Sequence, residues 1–222
     1  VEDRTGAADR IRDAAITRFA RDGFGASVRV IAADAQVSAA LVIHHYGSKD
    51  ALRAACDEHV HALVRDAKTD AMRNASPAAV IAQLATVEQY ADVFAYMVRS
   101  LLEGGEGAVR FVDGLLADTE QYLAAGVEAG TVRPSLDPRG RARVLVATTV
   151  GSLLLTELDA VAGRGTAPTK DPARAIVEMS HAAALPGIEL YTYGLFTGSE
   201  YLDAYLAREQ QDDHEHGHEE DA

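Results

Sequence analysis

"SVRVIAADAQVSAALVIHHYGSKDAL", residues 27–52, is the stretch whose reading decides the fold. Three serines punctuate it, and each opens a short run with helical character. Ser27 can cap a helix over Val28 to about Ala35, with Val28, Ile31 and Ala32 on its inner face. Gln36-Val37-Ser38 then leaves room only for a tight turn, and Ser38 can cap a second helix over about Ala39–His45. Gly47 stops that helix, and Ser48 caps a third, with Asp50 in its first turn to complement the dipole. Two short helices joined by so short a turn make a helix-turn-helix.

Working outward, Ile11, Ala14, Ala15 and Phe19 recur at helical spacing within Ala8–Asp22, and Gly23 sits at the stop position. The chain then reads as helix after helix. Expected spans are 48–74, 77–86, 88–103, 106–129, 138–162, 171–184, 186–196 and 199–209. Breakers separate them: Gly104-Gly105, Arg133-Pro134-Ser135, Gly163 to Pro168, and Pro186-Gly187. The expected fold class is therefore all-α. A three-helix, helix-turn-helix domain over 1–50 precedes a helical body over 51–209, and an acidic, His-rich, disordered tail fills 210–222.

Composition narrows the function. Apolar residues at 48% and charged residues at 25% exclude a disordered chain. No apolar run is long enough for a membrane span, and the charged opening VEDRTGAADR does not read as a signal peptide. With a single cysteine, Cys56, there is no internal disulfide framework and no Cys-rich zinc site, so a cytoplasmic protein is expected. A net charge of −13 speaks against nucleic acid at first sight. Its distribution changes that. Residues 1–60 carry 8 basic against 9 acidic groups, while residues 209–222 carry 0 against 7. The first sixty residues are close to neutral, and a phosphate-binding face fits there.

Residues 10–55 resemble the DNA-binding domain of the TetR family of bacterial transcriptional regulators. The likeness runs through Ile11, Ala14-Ala15, Phe19, Gly23-Phe24, Ser27-Val28-Arg29, Ile31-Ala32, Ala35, Val37-Ser38, His45-Tyr46, Gly47-Ser48-Lys49 and Leu52. Ala39–His45 and the stretch ELYTYGLFTGSEYLDAYL are also similar, more loosely, to an actinobacterial branch associated with multidrug ABC-transporter operons. The resemblance implies a homodimeric regulator, usually a repressor, that binds a double-stranded DNA operator. It also implies a small molecule in the body that changes the separation of two DNA-binding heads. Alternatives from other classes are an activator, a metal- or protein-responsive regulator, and a helical small-molecule-binding protein with weakened DNA binding.

In a helix-turn-helix the second helix enters the major groove while flanking groups grip phosphate. The expected DNA contacts are Ser27, Arg29, Ser38, Ala39, Ala40, Val42, His44 and Lys49. Serine hydroxyls and basic groups suit phosphate, Ala39, Ala40 and Val42 suit thymine methyls, and Leu41 packs inward. His45 and Tyr46 are read as packing, and Arg10 and Arg53 as surface. Three positions depart from the family pattern. Gln36 and Ala40 stand where Gly is common, and Ile43 stands where a phosphate-binding tyrosine is common. Gln36 therefore implies modest strain or a slightly different turn, because that turn residue often sits in the left-handed region.

In the body, RVLVATTVGSLLL (143–155) is apolar almost all round, so helices 138–162 and 171–196 are expected to form a four-helix homodimer interface. A hydrophobic effector is expected among Tyr90, Phe94, Met97, Leu101, Phe111, Leu115, Glu120 and Tyr122. Glu157 is a further candidate for a cation or a cross-dimer contact.

Some motifs imitate chemistry. His214-Glu215-His216-Gly217-His218 spells HExxH, but it lies in an acidic tail and contains Gly217 where the mechanism needs a stable, partly buried helix, so it fits adventitious metal binding better than a protease. Gly104-Gly105-Glu106-Gly107 lacks the Lys-Ser/Thr of a phosphate loop, and Cys56 is read as packing. No catalytic residue, cofactor or structural metal site is assigned, and an enzyme is the weaker class.

Overall fold

The computed structural model describes residues 2–74, 76, 87–163 and 172–217; the side chains of 2–5, 87, 88, 153, 156, 157, 160, 172–176 and 212–217 fall outside that description. All regular structure among these residues is helical, and the elements are α1 (Glu2–Asp22), α2 (Val28–Asp34), α3 (Ala39–Tyr46), α4 (Lys49–Arg73), α5 (Ala91–Glu103), α6 (Gly105–Glu128), α7 (Pro138–Val161), α8 (Pro172–Tyr193) and α9 (Glu200–Gly217). A single 3₁₀ turn, Val87–Tyr90, leads into α5. The helix expected over 77–86 and the side chain of Glu157 lie outside the described residues.

Residues 1–181 form one compact unit and residues 182–222 a second. In the first, one core runs from the helix-turn-helix into the body. Ile11, Phe19, Ile31, Val42, Leu52, Cys56, Val60 and Tyr96 are fully enclosed in it. Phe19 meets Phe24 at 5.1 Å and Tyr96 at 6.5 Å between ring centroids, so an aromatic cluster joins α1, the following loop and α5. Thr17 also donates to Asp92 at 2.7 Å, a second link between α1 and α5. Arg18 forks onto both carboxylate oxygens of Asp34 at 2.6 Å, which clamps α2 to α1 and holds that carboxyl below its usual range.

Two sequence expectations fail on helix length. Pro186 does not end a helix: α8 passes through it. Proline's fixed φ is a helical φ, so the cost is one lost hydrogen bond and crowding of the carbonyl four residues back, which a long helix can absorb. Likewise α9 continues to Gly217, into the segment expected to be disordered from 210. Glu200 and Asp203 in its first turn complement the dipole, and no Gly or Pro interrupts it before Gly217.

The turn between α2 and α3 bears out the expectation of strain. Gln36 has φ 56°, the sole positive φ outside glycine among the described residues. Its N–H donates to Ala33 O at 3.1 Å and that of Val37 to Ala32 O at 2.9 Å. These two bonds are a Schellman stop, whose left-handed position normally holds glycine. Replacing Gln36 with Gly is expected to stabilise the protein by about 0.5–1 kcal/mol, because relief of Cβ strain outweighs the added chain entropy. Denaturant unfolding checks this, and a loss of stability would contradict it.

Candidate nucleic-acid interface

The motif's geometry starts from its caps. Ser27 Oγ accepts from Val30 N at 3.4 Å, Ser38 Oγ from Leu41 N at 3.1 Å, and Ser48 Oγ from Ala51 N at 3.0 Å. Each hydroxyl accepts at its helix start and keeps its proton available for an outside acceptor. All three serines are exposed, as is Arg29 on α2, while Lys49 is half-buried at the first position of α4.

On α3 the structure corrects the phase by one residue. Val42 is fully buried, so it is a core residue and not a reader of thymine methyls. Its side chain lies on the face that α3 turns to the head core, with Ala39 half-buried beside it. The exposed face is Ala40, Ile43 and His44, at the i, i+3, i+4 spacing of one helix side. Ile43, 44% exposed, thus takes the apolar position assigned to Val42. Leu41 is half-buried. The His44 and His45 rings meet edge-on at 5.8 Å. Tyr46 donates to Ala8 O at 2.8 Å, which ties the end of α3 to α1 and fits the packing role read for it.

The candidate ligand residues separate into two groups. Met97, Phe111 and Leu115 are buried, with Tyr90, Phe94 and Leu101 packed on them, all within the core that joins head and body. Glu120 instead stands 3.6 Å from Arg139 on α7, and Tyr122 is half-buried outside that cluster. Met97, Phe111 and Leu115 are thus shielded from solvent. An open cleft lies on the head, walled by Arg10, Thr17, Arg18, Asp34 and Gln36, a lining too charged for an apolar ligand.

Sequence reasoning missed the polar groups beneath the head. Arg53, read as surface, stacks over the Phe24 ring at 3.6 Å and pairs with Glu103 at 2.5 Å. Tyr96 donates to Asp57 at 2.6 Å, and burial raises the pKa of both groups. Asp118 is buried and meets both His61 and Arg65. Cys56 is enclosed, and burial pushes its thiol up to about 12, which suits packing and not nucleophilic attack. Among the described residues no cluster could hold a metal ion, and the side chains of the HExxH run lie outside them.

A capped helix-turn-helix with an exposed second helix, mounted on a helical body, is the architecture of a DNA-binding regulator. Comparison with known proteins sharpens this. Residues 11–56 match the model of bacterial regulatory proteins of the tetR family, and residues 88–197 match a tetracyclin repressor-like C-terminal domain. The chain is 45% identical over 202 residues to the HTH-type transcriptional regulatory protein RaaS of Mycobacterium tuberculosis, covering 91% of this chain and 92% of that one. It therefore belongs to the TetR family of transcriptional regulators. Solved structures share the fold. One, described as the molecular basis for control of antibiotic production by bacterial hormones, superposes with a TM-score of 0.57 at 23% identity, over 85% of this chain and 96% of the other. SmeT, the repressor of the Stenotrophomonas maltophilia multidrug efflux pump SmeDEF, superposes with a TM-score of 0.50 at 22% identity, over 79% and 89%. Among the described residues no helix is long and apolar enough to cross a membrane.

Proposed function

We propose that this regulator is a cytoplasmic, non-enzymatic repressor that binds a palindromic operator as a homodimer and is released by a hydrophobic small molecule. Control of a drug efflux transporter is the setting we favour, since SmeT has that role in its own organism. The observation that carries the DNA-binding part is the turn at Gln36. It keeps the Schellman hydrogen bonds despite its side chain, and so presents Ala40, Ile43 and His44 outward between three capped helix starts. That favours a working recognition helix over a head that has lost its DNA.

In this reading Ser27, Arg29, Ser38 and Lys49 hold phosphate, while Ala40, Ile43 and His44 face base edges. Exposed Val144, Leu154, Leu155, Leu158 and Val161 on α7 supply apolar surface for a second copy. The ligand would enter among Phe94, Met97, Phe111 and Leu115. These side chains pack in the core shared by α4, α5 and α6, so a ligand that displaces them would link binding to movement of the head.

A gel shift with the DNA upstream of the chain's own gene tests this. Retardation in the nanomolar range or tighter is expected at physiological salt, on the order of 10³-fold above unrelated DNA, with release by a hydrophobic compound from a panel. Equal affinity for unrelated DNA would sink the operator reading. Specific binding that no compound weakens would sink the effector reading alone.

A further inference from the structure

One face of α4 carries Arg53, Asp57, His61 and Arg65, each four residues from the next. All four point to α5 or α6 and find a partner there. Arg53 reaches Glu103 at 2.5 Å, and Asp57 accepts from Tyr96 at 2.6 Å. His61 Nδ1 lies 2.9 Å from one oxygen of Asp118, and Arg65 donates to the other at 3.0 Å. The Asp118 side chain is only 9% exposed, so these two partners satisfy oxygens that have little access to water.

The opposing helix is shaped for this ladder. Gly107 and Gly114 on α6 are two turns apart. A Cβ at Gly114 would stand 2.7 Å from the His61 ring, and one at Gly107 would stand 3.0 Å from the Arg53 guanidinium. Gly114 weakens the middle of a long helix, yet the missing side chain is what admits His61. An apolar contact would let α4 settle in several registers. Directional pairs on a buried carboxylate accept one, because any slip strands a charge away from water. And α4 begins within three residues of the end of α3, so its register on the body sets where the recognition helix stands.

We propose that this ladder is a register lock that fixes the DNA-binding head on the body, with Asp118 and His61 as its positioning residues. The proposal rests on the DNA-binding reading above and adds the device that aims it.

The test is head-to-head distance in the full-length dimer. A nitroxide at Ala33→Cys, on an exposed site of α2, reports it by double electron–electron resonance. Cys56 is fully enclosed and stays unlabelled. The parent should give one narrow distance. Asp118→Asn, which keeps shape but removes charge, should broaden or displace it, and so should Gly114→Ala. Operator affinity should fall at least tenfold while helical circular dichroism and dimer mass are kept. If Asp118→Asn does not fold, Arg65→Met is read the same way, since it leaves His61 on Asp118. A broad distribution in the parent, or an unchanged one in the folded, dimeric variants, overturns the lock. A parent that binds no DNA overturns the reading beneath it and leaves the distance comparison intact.

Discussion

Replacing Phe19 with Ala is expected to lower stability by about 3–5 kcal/mol, the usual cost of emptying an aromatic site in a closed core. Phe19 is fully buried and touches both Phe24 and Tyr96. Its loss therefore opens a cavity where head and body share one core. For a chain of this size the melting temperature should fall by roughly 6–20 °C, at about 2–4 °C per kcal/mol. Thermal melts followed by circular dichroism check it. A variant melting within a degree or two of the parent would mean that the shared core is wrongly drawn.

The second large effect lies in DNA binding. Lys49→Ala should weaken binding to every DNA sequence by on the order of tenfold near 100 mM salt. A homodimer carries the residue twice, so the slope of log affinity against log salt should become shallower by about 2. Arg29→Ala should act alike, its side chain being exposed on α2. Titrations at several salt concentrations give the slope directly, and an unchanged slope would remove Lys49 from the phosphate contacts. His44→Ala should instead alter which base is preferred and leave the slope alone. By contrast Val42→Ala should change stability without changing preference, since its side chain never reaches solvent.

Much of the head was legible because its signals are local. Ser27, Ser38 and Ser48 cap where the sequence placed caps, and Gln36 takes the left-handed turn its position implied. The phase of α3 was not legible. Its sequence, AALVIHHY, is apolar or near-apolar on every side, so periodicity cannot choose between Val42 and Ile43. Only packing against α1, α2 and α4 decides. The ladder was hidden for another reason. Arg53, His61 and Arg65 look like the solvated face of a long helix until partners some fifty residues away arrive, as Asp118 does for His61 and Arg65. Pro186 misled because a local rule against proline within helices was applied where twenty-two residues of helix outvote it. Most of the candidate ligand residues are apolar or aromatic, a property that serves a core as well as a ligand site, and six of the eight pack into the core while Glu120 and Tyr122 do not.

The three serine caps have a meaning beyond holding helices. Aspartate caps a helix about as well as serine, and this chain is otherwise rich in acid. Yet every cap around the recognition helix is a neutral hydroxyl. A carboxylate in those places would keep the fold while setting negative charge against the phosphates of the duplex. The choice of cap therefore separates what the fold alone requires, an oxygen acceptor, from what its polyanionic partner tolerates, an acceptor without charge.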